Sequence, residues 1–167
     1  RRQRQMCIRD RDPVSVHALW LAQDDPKKNT AVLASKRGDV RLHKRVQTLP
    51  KKGVILEPLC GKVLGPEDHE LLTTKRGAIV GLDCSWKHID SSVREVMNKT
   101  RLQPRTLPLL LAANPVNWGK PGKLTTAEAV AAALYLVGRS EQARDVLGAF
   151  RWGKRFFELN QEPLDAY

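Results

Sequence analysis

The chain has 167 residues, 41% of them hydrophobic and 28% charged, with 29 lysines and arginines against 18 acids and a formal net charge of +11. That is enough apolar material for one compact domain or two small ones and excludes a disordered tail, while no apolar run approaches the roughly 20 residues that span a bilayer. A positive excess of this size favours polyanionic partners through counterion release, nucleic acid ahead of an anionic membrane, because the basic residues lie in short clusters rather than along an amphipathic helix.

Apolar runs alternate with helical patterns, the arrangement of a parallel α/β sheet protein. Residues 14–22 make the first expected strand. The turn Asp24-Asp25-Pro26-Lys27-Lys28-Asn29-Thr30 leads into a short helix over 31–36, with Asn29 or Thr30 placed to cap it and Gly38 to end it. Strands over 40–45 and 53–57 follow. Pro66, Glu67 and Asp68 have the composition of a helix's first turn, and Gly77 stops that helix. The run 78–82 is almost wholly apolar, which suits a strand covered on both faces. It breaks at Asp83-Cys84-Ser85-Trp86, on the carboxyl side where open α/β sheets bind ligands. Ile89, Val93, Val96 and Met97 then keep helical spacing, and 107–113 is the fifth expected strand. A loop over 114–123 precedes an all-helical end, with Thr125 or Thr126 as cap, Glu128 in the first turn, and further helices over 140–150 and 152–160. The expected architecture is a five-stranded parallel sheet in an α/β part, 1–115, followed by a helical part, 116–167.

Several chemistries are excluded by residue type and spacing. Cys7, Cys60 and Cys84 are odd in number, far apart and without C-x-x-C spacing, so reduced thiols in a cytosolic, soluble protein are expected rather than disulfides or zinc. His17, His43, His69 and His88 are never spaced i, i+4, so no metal is expected. There is neither a G-x-G-x-x-G nor a P-loop. Ser85 lacks a G-x-S-x-G context, and apolar surroundings at Cys84 would raise a thiol's pKa, which argues against a nucleophile at either.

What remains are long ordered motifs: D-C-S-W from Asp83, R-x-L-P-x-L-x-A-A-N-P-V-N-W-G-x-P from Arg105, K-L-T-T-A-E-A from Lys123, and F-x-W-G-x-x-F-x-x-x-N from Phe150. On these, over residues 24–160, the chain resembles the small-subunit rRNA aminocarboxypropyltransferase family. The resemblance implies a SPOUT-like fold with a deep trefoil knot and S-adenosylmethionine held at the knot. It also implies a reaction, transfer of the 3-amino-3-carboxypropyl group to N3 of a pseudouridine, N1-methylated in many members, during ribosome biogenesis. A monomer acting in the cytoplasm on rRNA or a pre-ribosomal particle, with neither metal nor membrane, is the corresponding expectation.

Position by position, the resemblance assigns Thr30 and the amide of Thr126 to the cofactor's carboxylate. It assigns Leu56, Pro58, Trp86, Leu107, Leu124 and Ala129 to the adenine, the backbone of Leu82 to the ribose hydroxyls, and the backbone of Gly122 to the adenine amino group. The family most often has a tyrosine where this chain has Trp118 and an aromatic where it has Gly122. By residue type alone, Leu56, Leu107, Leu124 and Ala129 also read as ordinary core. Asp83 is the candidate catalytic residue, since a carboxylate can take or polarise the N3 proton; it reads equally as an N-cap for a helix beginning near Trp86. Lys27, Lys28, Lys75 and Arg76 are the candidate RNA contacts, and Arg1-Arg2-Gln3-Arg4 reads as a basic arm. Two other functions fit these residues: a SPOUT-type methyltransferase, and a non-catalytic rRNA-binding assembly factor.

Overall fold

Alternation along the strands decides the layers, because successive side chains point to opposite faces and here both faces are apolar. The computed structural model describes residues 13–21, 25–83 and 88–167. Its strands are β1 (Ser15–Trp20), β2 (Arg41–His43), β3 (Gly53–Leu56), β4 (Ala78–Asp83) and β5 (Gln103–Arg105), all paired in parallel in the order β2-β1-β4-β3-β5. The helices are α1 (Thr30–Lys36), α2 (His69–Thr73), α3 (Ile89–Lys99), α4 (Thr126–Leu136), α5 (Ser140–Leu147) and α6 (Gly153–Ala166). Val16, Ala18, Val54, Leu56 and Ile79 face a large core shared with α1, α4, α5 and α6. Leu19, Ile55 and Val80 face a smaller one closed by Val96 of α3 and by Leu102. The large core therefore joins the sheet to the C-terminal helices. At their closest approach, a Cβ on Gly81 of β4 would lie 2.9 Å from Thr126 Cγ2 and 3.2 Å from Val130 Cγ2 of α4.

The fifth strand is not where the apolar run predicts it. It is Gln103–Arg105, a polar segment containing Pro104, tolerated because it forms the sheet's edge. The run 107–113 is not one of the sheet's strands; side chains from the later helices take up its backbone groups. Asn160 of α6 accepts from Leu111 N–H at 2.7 Å and donates to Leu111 O at 2.9 Å, as a neighbouring strand would. Leu111 also forms an isolated antiparallel bridge with Pro121.

The sheet order places the crevice. β1 and β4 are neighbours, yet the chain leaves β1 for α1 on the large-core face and leaves β4 for α3 on the other. Adjacent strands whose connections part in this way open a cleft at their carboxyl ends. Asp83 ends β4 at that cleft, and the β1–α1 connection supplies Asn29 and Thr30.

Across the β1–β2 pair runs a directed chain of hydrogen bonds with the buried His17–His43 contact at its centre. Thr48 donates its hydroxyl proton to Arg45 O (2.9 Å), so its oxygen accepts from His43 Nδ1–H (2.9 Å). His43 Nε2 is then bare and accepts from His17 Nδ1–H at 2.7 Å, and His17 Nε2 accepts from Ser15 Oγ–H at 2.6 Å. In this arrangement both imidazoles are taken as neutral, the form that their lowered pKa values favour. Burial first, then His43 and Arg41 beside it, push the His17 pKa down from 6.5 to about 4, and burial and Arg41 lower that of His43. The unfolded chain takes up protons near pH 6.5 that the folded chain refuses, so this contribution to stability is complete above that pH and is lost as pH falls toward 4. Thermal unfolding followed at pH 7.5 and pH 5 should show a smaller drop in Tm for His17→Gln than for the unaltered chain; equal drops would remove His17 from the acid response.

Candidate active site at the carboxyl ends of the strands

A cavity of about 560 Å³ opens at this cleft. That is the size of a site for a nucleoside-sized ligand. Its wall is assembled from Asn29 and Thr30 before and at the start of α1, Leu56 to Pro58 at the end of β3 and after it, Gly81 to Asp83 at the end of β4, Ile89 at the start of α3, and 105–110 together with Gly122 and the first turn of α4. Thr30, Leu56, Pro58, Leu82, Asp83, Leu107, Gly122, Leu124, Thr126 and Ala129, ten of the eleven residues singled out for cofactor or catalysis, all line it. The eleventh, Trp86, lies outside the described residues, as do Cys84, Ser85 and the basic arm.

The first turn of α4 owes its position to a buried carboxylate. Thr125 is the N-cap, and Glu128 closes a capping box with it, accepting from Thr125 N–H at 2.7 Å. The same carboxylate, fully buried, accepts from Ala113 N–H (2.7 Å), Asn114 N–H (3.1 Å) and Asn114 Nδ2 (2.9 Å). It therefore fixes the loop after 110 against the helix start. Thr126 follows as the first helical residue, where amide protons have no partner inside the helix. Thr30 Oγ1 accepts from Ala127 N–H at 3.3 Å, joining the α1 start to the α4 start; a hydroxyl that accepts keeps its own proton to donate. Gly122, in the left-handed region at φ +71°, donates its N–H to Leu110 O at 2.9 Å.

Asp83 accepts from Asn29 Nδ2. The Asn29 side chain is itself the N-cap of α1, with Oδ1 accepting from Val32 N–H at 3.0 Å. The alternative reading of Asp83 as the cap of a helix beginning near Trp86 falls on residues outside the described ones; the next described helix, α3, begins at Ile89 with His88 at its N-cap position. Leu82 stands one residue beyond the last β3–β4 pair, Leu56 with Gly81, at the open end of the ladder.

Three polar or charged lining residues escaped the sequence reading. Glu57, buried, turns Oε1 to Leu59 N–H at 2.8 Å. It is an acid at the carboxyl end of a strand, the same signal that singles out Asp83. Asn29 was visible only as a possible cap. Arg105 heads the second motif, but lies in Gln103–Arg105, a strand the sequence reading expected instead at 107–113. Its Nε pairs with both oxygens of buried Asp68 at 3.0 Å, the acid expected merely to start a helix.

The basic candidates divide. Exposed Lys28 lies on the cavity rim with Lys27 beside it. Lys75, ion-paired with Glu70 at 3.6 Å, and Arg76 precede β4. That puts them at the far end of the strand from Asp83, roughly 16 Å away at the rise of a β-strand. Among the described residues no group of three or more His, Cys, Asp or Glu is arranged to hold a metal ion, and no helix is long and apolar enough to cross a membrane.

Comparison with known proteins yields consistent matches. Residues 54–167 match the family described as ribosome biogenesis protein, C-terminal. A protein of Methanosarcina acetivorans named 16S rRNA aminocarboxypropyltransferase is 44% identical over 154 residues, 92% of this chain and 85% of that protein. One of the same name from Vulcanisaeta distributa is 41% identical over 148 residues, 88% and 78% of the two chains. A solved structure of the SAM-dependent rRNA acp-transferase Tsr3, also from Vulcanisaeta distributa, superposes with a TM-score of 0.83 at 38% identity, covering 92% of this chain and 82% of that one.

Replacing Glu128 by glutamine puts an amide NH2 against donors that need an acceptor. Urea denaturation of Glu128→Gln should show a loss of about 2–4 kcal/mol, with amide exchange accelerated at 111–114 ahead of β1 and β4. Unchanged stability would show that Glu128 does not hold the loop.

Proposed function

The chain belongs to the rRNA aminocarboxypropyltransferase family of ribosome biogenesis proteins, and on that premise we propose that it transfers the 3-amino-3-carboxypropyl group of S-adenosylmethionine to N3 of a pseudouridine, N1-methylated or not, in small-subunit rRNA. The observation that carries this reading is the convergence, on one cavity at the switch point of the sheet, of ten residues that the resemblance assigns from separate parts of the chain. The residues present fit the cofactor. Leu56, Pro58, Leu107, Leu124 and Ala129 offer the apolar walls a purine needs, and the Gly122 carbonyl offers an acceptor for its amino group. Trp86 is taken as a further wall. The Leu82 backbone, past the end of the β3–β4 ladder, suits ribose hydroxyls. The Thr30 hydroxyl and the Thr126 amide, drawn together by the contact between α1 and α4, suit a carboxylate.

When bound, the cofactor supplies a carbon activated by the adjoining sulfonium, whose sulfur leaves as a neutral thioether with the electron pair of the broken bond. The chain's own part is placement and one proton. An amino acid arm held at Thr30 and Thr126 points the longer substituent, rather than the methyl, toward the substrate. Asp83 takes the N3 proton as nitrogen bonds to carbon and later releases it to water.

Lys27 and Lys28 at the rim are the phosphate contacts of the target loop. Lys75 and Arg76, at the other end of the sheet, serve a separate RNA segment. The same reading gives the chain a SPOUT-type trefoil knot, with residues 116–167 completing both knot and pocket. The pinning of 111–114 by Asn160 and Glu128, side chains from later in the chain, supports it. A monomer in the cytoplasm completes the proposal.

Incubated with small-subunit rRNA and S-adenosylmethionine, the protein should release 5′-methylthioadenosine and place carboxyl label, not methyl label, in RNA. S-adenosylhomocysteine as coproduct would make it a methyltransferase, and no turnover an assembly factor. Asp83→Asn should keep cofactor affinity within about twofold in calorimetry yet lose transfer by roughly a hundredfold or more. Lost binding with normal single-turnover chemistry at saturating cofactor would refute the role of Asp83.

A further inference from the structure

We propose that Asn29 is the positioning residue for Asp83: its side-chain amide, oriented by the N-cap bond of α1, holds the Asp83 carboxylate in one plane at the end of β4. The proposal rests on the reading of Asp83 as the group that takes the substrate proton.

The orientation of the amide follows from chemistry rather than from choice. The backbone N–H of Val32 can only donate, so the Asn29 atom 3.0 Å from it is the oxygen. The nitrogen is then the atom that meets Asp83 Oδ2, a donor to an acceptor. Asn29 has little freedom to turn otherwise. It is 4% exposed, its own N–H donates to Asp25 O at 3.1 Å, and its carbonyl accepts from Leu33 N–H at 3.1 Å. One side chain thus spans the cleft at its switch point, tying the start of α1 to the end of β4 across a separation of 54 residues.

The other charged side chains on the cavity are Lys28, Glu57 and Arg105. Arg105 is directed to Asp68, Glu57 to Leu59 N–H, and Lys28 is exposed. From the strand beside it, β1 offers Trp20 in register and Leu21 N–H, which donates to the Asp83 backbone carbonyl at 3.3 Å. A neutral amide donating to a carboxylate favours the ionised form, the form that can accept a proton, and adds no charge to repel an incoming phosphate.

Asn29→Ser and Asn29→Asp separate this role from capping. Both residues keep an N-cap acceptor for Val32 N–H, and neither has the amide donor. In cofactor-free protein, a carbon-13 NMR titration should show the Asp83 carboxyl pKa raised by about one unit in Asn29→Ser; in Asn29→Asp the carboxyl pair should titrate in two steps, the upper one higher still. In turnover the acidic limb of the kcat profile should move up in the same order. At neutral pH kcat should fall about tenfold for serine and further for aspartate, with KM for S-adenosylmethionine changed less than about twofold. Unmoved titration and unmoved acidic limb, in variants that unfold at the unaltered temperature, overturn the proposal. A raised KM with an unmoved limb does so too, since that is what a capping role alone produces. Full transfer by Asp83→Asn sinks the role of Asp83 and this proposal with it, whereas an inactive Asp83→Asn enzyme beside unmoved titrations in the Asn29 variants sinks this proposal alone.

Discussion

The carboxylate of Glu128 is buried in the large core, where an uncompensated charge would be several kcal/mol unfavourable. It is compensated by the groups it arranges. The N–H groups of Ala113, Asn114 and Thr125, the Asn114 amide and the Thr125 hydroxyl all converge on it, at the positive end of α4. Because these donors come from two segments, satisfying the charge forces the loop after 110 and the start of α4 into one relative position. The Thr126 amide, the Gly122 carbonyl and the apolar side chains of Leu107 and Leu124 then share a wall. An apolar residue at 128 would leave the loop's amides without acceptors, which a buried backbone rarely tolerates.

The opposite wall is set by the sheet. Parallel order brings β1 and β4 together, and their connections part to opposite faces, so Asn29, Thr30 and Asp83 meet across the cleft without a loop of their own. Gly81 lets α4 lie close on β4, since a Cβ there would collide with Thr126 and Val130. Thr30 and Asn29 then form a polar seam, one reaching α4 and the other β4. Rigid elements rather than long loops thus carry the polar groups of the cavity, which suits a reaction decided by which of three carbons on one sulfur faces the substrate.

The electrostatics sort by location. The net positive charge is an attribute of the whole surface, while the cavity holds Asp83 and Glu57 and keeps the Arg105 guanidinium paired with Asp68 through its Nε, which donates to both carboxylate oxygens. In the proposed function a cationic cofactor would meet carboxylates inside and an anionic polymer would meet lysines outside. The two histidines of β1 and β2 stand apart from this arrangement, neutral and fixed in tautomer, as part of the fold's response to acid.

Local pattern alone yields much of this. The alternating strands, the apolar run ending at Asp83, the capping box at Thr125 and the helical end are short-range features, legible because hydrogen bonds within a few residues and side-chain period decide them. The motif residues that line the cavity were legible only through resemblance, since a leucine in a pocket wall and a leucine in a core have the same local signature. Where partners lie far apart in sequence, local pattern misleads. The run 107–113 has a strand's composition, yet Asn160 and Glu128 take up its backbone groups, while Pro104 is accepted in a strand because only the folded sheet makes that strand an edge. Asp68 looks like a helix starter and is a buried partner of Arg105; Asn29 looks like a cap and also meets Asp83. The sequence determined most of the elements, the fifth strand excepted, and how much charge they carry. The tertiary structure decided which polar groups face one another, because a hydrogen bond between residues 54 or 97 positions apart exists only once the sheet order has brought their strands and helices together.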